Sequence, residues 1–447
     1  MANTYLSRTP SSAGNQKTFT ISTWVKFHQF SPEKFILSSG AYGGSRSFQL
    51  ASGTNAQLDI QSNSSGVADY FIRTNRVFRD VTGWYHIVVA VDTTQATSTD
   101  RVKIYVNGVQ ETSFSTASYP SLNFDTGLNS TQEHQINGRP STSDYGSVSH
   151  THYHLIDGIA YDASTFGETD ATTGIWKPKT APSVTYGTNG FFLKFENSGS
   201  MGTDSSGETN NFTVNGTLTQ TVDTPSNVFA TMNPLDNYLQ QATFTNGNTT
   251  VATATAPYCA NTSTLGVNSG KWYFEWKIIS MGAAKQHSVG MTGVQTTSAS
   301  GGQPGGFANS FSYAMNTGNA LANGSSTSIG SAANVNDIFG IAVDLDNNKF
   351  WVQTSSGFLN SGDPASGTNG ITITSASSTP LGNYFVAYGD QNDVEGGYSV
   401  SFNFGNGYFG TTAVSSATSD ESGLGIFEYT VPSGYYALCT KNINEQG

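Results

Sequence analysis

A strand–turn–strand signature occurs once in each half of the chain and constrains the fold more than any other feature. In the first half, Trp84-Tyr85-His86-Ile87-Val88-Val89-Ala90-Val91-Asp92 leads through a polar loop to Arg101-Val102-Lys103-Ile104-Tyr105-Val106-Asn107-Gly108. In the second, Asp337-Ile338-Phe339-Gly340-Ile341-Ala342-Val343-Asp344 is followed closely by Lys349-Phe350-Trp351-Val352-Gln353. Each pair sets β-branched or aromatic residues at every second position with turn formers between them, the pattern of a half-buried hairpin. Two such blocks predict an all-β chain of two tandem antiparallel β-sandwiches. Tandem sandwiches with little else are generally built to bind surfaces rather than to run chemistry.

Composition supports this. A chain of 447 residues accommodates two sandwiches of roughly 200 residues each. Only 11% of residues are charged, 49 are glycine, and no long Ala/Leu/Glu/Lys run is available for a helix. Helices are therefore expected to hold fewer than about 10% of residues. The 12% aromatic content can supply two cores, so disorder is not expected. A sandwich over 1–222, a linker over 223–238 and a second sandwich over 239–447 follow, the linker being read from Asp223-Thr224-Pro225-Ser226-Asn227 and from Pro234 to Tyr238.

The net charge of −12 excludes the basic stripe of a nucleic-acid partner. No apolar run approaches membrane-spanning length, so no membrane insertion is expected. The first residues, Met1 to Arg8, lack the apolar stretch of a secretory signal. Cys259 and Cys439 do not make a disulfide framework; they are expected as buried thiols, with a single bridge as the alternative.

Phe19-Thr20-Ile21-Ser22-Thr23-Trp24-Val25-Lys26-Phe27 alternates strictly, with Phe19, Ile21, Thr23, Val25 and Phe27 on one face. With the Trp84 and Val102 strands and the closing Ile156-Asp157-Gly158-Ile159-Ala160-Tyr161-Asp162, this order resembles the laminin-G-like branch of the concanavalin A-like sandwiches, over about residues 20–170. Asp204-Ser205-Ser206-Gly207 with Asn210-Asn211-Phe212-Thr213 resembles a segment that usually opens such domains. Here it comes late, which leaves open a rearranged strand order or an added hairpin.

Beyond residue 265, Lys271-Trp272-Tyr273-Phe274-Glu275-Trp276-Lys277-Ile278, Ser288-Val289-Gly290-Met291-Thr292, the second hairpin and Tyr398-Ser399-Val400-Ser401-Phe402-Asn403-Phe404-Gly405 follow in the order that resembles an SPRY domain. That family's members are binding modules whose specificity lies in loops. The combination, with Thr173-Gly174-Ile175-Trp176-Lys177-Pro178 and the ending Pro432-Ser433-Gly434-Tyr435-Tyr436, is similar to virion proteins of tailed bacteriophages of the fibre or adhesin type. The resemblance implies a structural protein of the virion, assembled in the host cytoplasm, that binds host-surface glycan or other virion proteins. A capsid decoration or tail-associated protein without a host ligand is the first alternative, and a glycan-cleaving enzyme the second. Weak single sites on a shallow surface favour several copies, so a homotrimer is expected.

Among chemical constellations, His150-Thr151-His152-Tyr153-His154 is the sharpest. Alternation predicts all three imidazoles on one strand face, and His152 and His154 are the expected ligands if a transition metal binds. The competing reading is a polar edge strand. Loop carboxylates such as Asp92 or Asp100 are candidate calcium ligands, whereas Asp344-Leu345-Asp346-Asn347-Asn348-Lys349 reads as a hairpin turn. No carboxylate pair with glycosidase spacing is present, so no catalytic residue is assigned. For ligand binding, loops carrying aromatics among small polar residues are the candidates. They give Tyr42, Arg46, Phe307, Asp390, Gln391, Asn392 and Asp393.

Overall fold

A computed structural model describes residues 4–30, 32–41, 43–44, 46–53, 55–171, 173–239, 242–253, 259–282, 284–295, 303–390 and 397–447, with backbone alone at 238, 239 and 390. Strands hold 45% of the chain and helices 5%, as the alternation and the missing helix formers predict. Contacts divide the chain into two compact units, 1–220 and 221–447.

In the first unit, a sheet of eight strands has the spatial order Phe114–Ser118, Val67–Val77, Gln57–Ser64, Ser47–Ser52, Lys34–Ser39, His134–Ile136, Tyr5–Arg8, Thr213–Asn215. A sheet of six runs Phe191–Leu193, Val148–Asp157, Thr18–Phe27, Tyr85–Asp92, Val102–Val106, Val109–Gln110. The core lies between them. Phe19, Ile21, Val25 and Phe27 meet Leu37, Leu50, Ile60 and Ile72 there, so the predicted face of Thr18–Phe27 points inward. The late Asp204–Thr213 segment becomes an added edge: Thr213–Asn215 pairs antiparallel with Tyr5–Arg8. Asp204 shapes the approach by accepting from the backbone N–H of Phe192 and Asn210, each at 2.8 Å.

The other face of the six-stranded sheet is also covered. Residues 159–186 lay Ala163, Phe166, Trp176, Val184 and Tyr186 over Val88 and Ile156. This explains why Thr20, Ser22 and Trp24, the polar-side positions of their strand, are buried too.

The second unit repeats the architecture. Met232–Leu239, Cys259–Val267, Tyr384–Asp390, His287–Thr292, Ser310–Ala314, Asn319–Ala322 and Ser325–Ser328 form one sheet in that order. Against it packs a second sheet containing Thr250–Ala252, Ser399–Asn403, Lys271–Ser280, Ile338–Asp344 and Lys349–Thr354. Asp344 pairs with Lys349, so the predicted hairpin turn is one. Phe427, Tyr435, Ala437 and Cys439 cover the outer side of this sheet over Tyr273, Ala342 and Trp351. Two buried carboxylates stitch that cover down. Glu275 accepts from the backbone N–H of Glu428 and Tyr429, each at 2.8 Å, and Asp420 accepts from Gly425 N, Ala437 N and the Asn442 amide.

The segment 223–238 is not a linker. Phe229 and Ala230 are buried, Phe229 bridges to Cys439, and Met232–Leu239 pairs with Cys259–Val267. Its partners lie far along the chain, so local polarity hid its place in the sheet. Cys259 and Cys439 are buried, and no disulfide joins them. Trp24, Trp84, Trp272 and Trp351 are all buried, as their strand positions predict. No helix among the described residues is long and apolar enough to cross a membrane.

Candidate functional site

The outer face of the eight-stranded sheet carries an unusual row of side chains. Leu37, Leu50, Ile60 and Ile72 stand opposite one another across four strands and point into the core. Alternation therefore turns their sequence neighbours outward. Ser7, Gln135, Ser38, Gln49, Gln61 and Phe71 are successive cross-strand partners and make one continuous outward row. Ser47 and Asn63 pair in the adjacent row, while Phe35, Ala51, Asp59 and Arg73 form the row on the other side.

Part of this row is internally satisfied. The Gln61 amide donates to Gln49 Oε1 at 2.6 Å, the Gln135 amide to Glu133 Oε1 at 3.0 Å, and Ser38 Oγ to the Gly138 carbonyl at 2.6 Å. The remaining valences are not. Gln49 Nε2, Asn63 Nδ2, Gln135 Oε1 and Ser47 Oγ have no hydrogen-bond partner among the described residues. Gln49 is 1% exposed, Asn63 3% and Gln135 5%. Leaving a buried amide group unpaired costs on the order of 1–3 kcal/mol, so these enclosed atoms weaken the packing of this row.

The rim is aromatic and cationic. The Arg73 guanidinium lies 4.9 Å from the Phe71 ring centre, and Arg139 lies 4.8 Å from that of Phe35. Asp59 takes Arg73 in a two-pronged pair at 2.7 and 2.6 Å, whose hydrogen bonds raise the affinity of Arg73 for its proton. Burial, then the Asp59 charge, pushes the Glu33 carboxyl upward. A polar outward row flanked by the Phe71 and Phe35 rings suits a ligand bearing hydroxyls and apolar C–H faces.

Arg46, which the sequence singles out, leads into Ser47–Ser52 and stacks its guanidinium 5.0 Å from the Phe124 ring centre. Tyr42, Gln391, Asn392 and Asp393 lie outside the described residues, as does the side chain of Asp390. Phe307 is half-buried in the second unit, beside a groove. Gln49, Asn63 and Gln135 were not legible as a site, because each is an ordinary outward residue of its own strand.

The three histidines do not share a face. Thr151 pairs with Trp24 and His154 with Ser22, so two residues, His152 and Tyr153, oppose the single Thr23. His152 absorbs the extra residue with φ +47°, a bulge that resets the alternation. His150 consequently sides with Tyr153 toward the interior, its rings 5.4 Å apart. His154 faces the outer layer, where Nδ1 meets the Tyr186 hydroxyl at 2.9 Å and its ring stacks on Phe192 at 4.0 Å. Burial lowers the affinity of all three for a proton. Among the described residues, no group of three or more His, Cys, Asp or Glu is placed to hold a metal ion.

The proposed calcium carboxylates have local partners. Asp92 accepts from Thr94 N, Thr94 Oγ1 and Gln95 Nε2, bonds that outweigh its burial and lower its pKa. Asp100 lies 3.3 Å from the Lys103 ammonium.

Residues 2–143 match the family model Laminin_G_3, described as the concanavalin A-like lectin/glucanases superfamily. No curated protein matches the chain. Among solved structures, the SPRY domain of human HERC1 is 12% identical, over 38% of this chain and 96% of that one, with a TM-score of 0.29. A human SPRY domain is 19% identical over 34% and 90%, with a TM-score of 0.26. The heptameric SAP-like pentraxin of Limulus polyphemus is 11% identical over 35% and 71%, with a TM-score of 0.27. Residues 2–143 are thus similar to a concanavalin A-like domain, within a chain made of two β-sandwiches.

Proposed function

We propose that this protein is a virion-surface binding protein of a tailed bacteriophage, of the fibre or adhesin type, that holds host-surface glycan on the outer face of its first sandwich. The polar outward row of Gln135, Ser38, Gln49 and Gln61, flanked by Phe71 and Phe35, carries the glycan reading. The lectin-like match over residues 2–143 supports binding as the activity of that unit. The virion setting rests on the sequence resemblance to phage proteins.

The Ser22–His86 contact supports a non-catalytic role for that pair. Trp176 Nε1 donates to His86 Nδ1 at 3.0 Å, and His86 Nε2 lies 2.9 Å from Ser22 Oγ. A neutral imidazole that accepts at Nδ1 carries its proton on Nε2, so it donates to Ser22 and cannot draw a proton from it.

A glycan array probed with the full chain tests the proposal. Retention of host-type polysaccharide, reduced by Gln49→Met, supports it. A blank array, together with tight association to another virion protein, would replace it by the architectural role. Release of reducing ends from the polysaccharide would replace it by the enzyme. A homotrimer, which multiplies weak sites, is tested by sedimentation.

A further inference from the structure

One half-buried arginine of the first unit lacks a counter-charge. Arg73, Arg76 and Arg139 pair with Asp59, Glu111 and Asp144, and Arg101 gives its guanidinium to the carbonyls of Gln95, Ala96 and Pro120. Arg8, the last residue of Tyr5–Arg8, forms no ion pair among the described residues. Its Nη2 donates to Asn189 Oδ1 at 3.3 Å and to Asn210 Oδ1. Nε and Nη1 have no partner among the described residues, and neither is enclosed.

The two amides hold the guanidinium in place. Asn189 is 2% exposed and Asn210 8%. The Asn189 amide nitrogen donates to the Ser12 carbonyl at 3.0 Å, and that of Asn210 to the carbonyls of Thr188 at 3.0 Å and Gly190 at 2.7 Å. Each amide is thereby locked with its oxygen toward Arg8, a neutral acceptor where an ion-paired arginine has a carboxylate. A tie between strand and loop would need only a neutral donor. A guanidinium brings a full charge and N–H groups to spare.

That charge is poorly compensated. Burial lowers the hold of Arg8 on its proton, and the Asp204 charge only partly opposes this. Asp204 is itself occupied by Phe192 N, Asn210 N, Ser206 N and Ser206 Oγ. His134, the cross-strand partner of Arg8, is buried and neutral: Nδ1 donates to the Gln132 carbonyl, and Nε2 accepts from Asn129 N. Ser11 and Ser12, in the segment that Asn189 grips, are exposed.

We infer that Arg8 anchors a second glycan subsite, which takes the carboxylate of an acidic sugar residue on its idle N–H groups, with that sugar's hydroxyls toward Ser11 and Ser12. A carboxylate supplies both the missing counter-charge and acceptors for the idle donors, in charge-assisted hydrogen bonds. The net charge of −12 does not forbid this, because exposed charges more than about 8 Å away are largely screened at physiological ionic strength. The inference rests on the reading that this protein binds glycan, but it concerns residues outside the Gln49 row.

The test is ligand-observed NMR on the full chain with glucuronate, galacturonate and N-acetylneuraminate, alongside glucose, galactose and a glutamate-containing peptide. At least one acidic sugar is expected to bind, without competition from glucose or galactose. Arg8→Gln should weaken it roughly tenfold or more, about 1.4 kcal/mol, and Arg8→Lys should weaken it less. If Arg8→Gln does not fold, the Arg8 Nε–H resonance of the unmodified chain gives the readout: it should shift with the acidic sugar and not with glucose. Gln49→Met should leave the acidic-sugar signal unchanged. If the glycan array retains neutral polysaccharide and no acidic sugar binds, this inference falls while the glycan reading stands. Acidic-sugar binding indifferent to Arg8→Gln, or an Nε–H resonance that does not move, would overturn it. So would binding of the peptide with no acidic sugar bound, which would make Arg8 a protein contact.

Discussion

The His86 imidazole is held between two indoles: it stacks on Trp24 with ring centres 4.8 Å apart and accepts a hydrogen bond from Trp176 at 3.0 Å. That contact fixes the tautomer and anchors the 159–186 cover to the sheet beneath it. Gly108 and Gly167 admit the indole, since a Cβ at either would stand under 3.0 Å from the Trp176 ring.

Trp176→Phe removes the donor and leaves His86 Nδ1 buried without it. The expected cost is about 1–3 kcal/mol, read by chemical denaturation. Nitrogen NMR of the unmodified protein should show His86 protonated on Nε2. An Nδ1–H tautomer would contradict the assignment.

Acid should affect the two units differently. Burial holds His28, His86 and His150 at about 3 and His134 at about 4, and His154 also lies well below its usual range; all five are in the first unit. In the unfolded chain they take up protons near pH 6.5, so folding stability is full above that pH and falls as the pH drops toward 3–4. Each histidine contributes up to about 1.4 kcal/mol per pH unit. The second unit has His287, at about 3, and also Glu275, which burial raises to about 7 against its backbone and side-chain hydrogen bonds. Glu275 binds its proton more tightly when folded, so between pH 7 and 4.5 it adds stability as the pH falls, offsetting His287. Calorimetry from pH 7 to 4.5 should show the transition of the first unit falling much faster than that of the second. Equal shifts would count against the assignment.

Trp272 is fully buried and donates Nε1–H to the Ser269 carbonyl at 2.7 Å. Trp272→Ala should cost about 3–5 kcal/mol in equilibrium unfolding. A change under about 1 kcal/mol would mean that the strand repacks.

Gln49→Met provides the sharpest separation of binding from folding. It removes an unpartnered amide nitrogen at the expense of one bond from Gln61, so stability should change by less than about 1 kcal/mol while glycan retention falls. A large stability loss would show that the Gln49 amide is a structural group and not a ligand contact.

The alternation of Thr18–Phe27, the two hairpins and the shortage of helix formers were enough to read an all-β chain of two sandwiches. Side-chain period is a local property, set by the residues of one strand. The binding face was not readable in the same way. Gln135, Ser38, Gln49 and Gln61 come from four strands, and only the register of non-local pairing aligns them in one row and leaves certain of their atoms without partners. The same limit explains the histidines. Strict alternation put His150 and His154 together, and one residue at positive φ, forced by pairing with Thr18–Phe27, sent them to opposite faces. It explains 223–238 as well, where Phe229 and Met232 find their partners more than thirty residues away or at the far end of the chain. Pattern within a strand determined the class of fold; pairing between distant strands decided which polar groups meet, because hydrogen-bond register is a property of two segments and neither carries it alone.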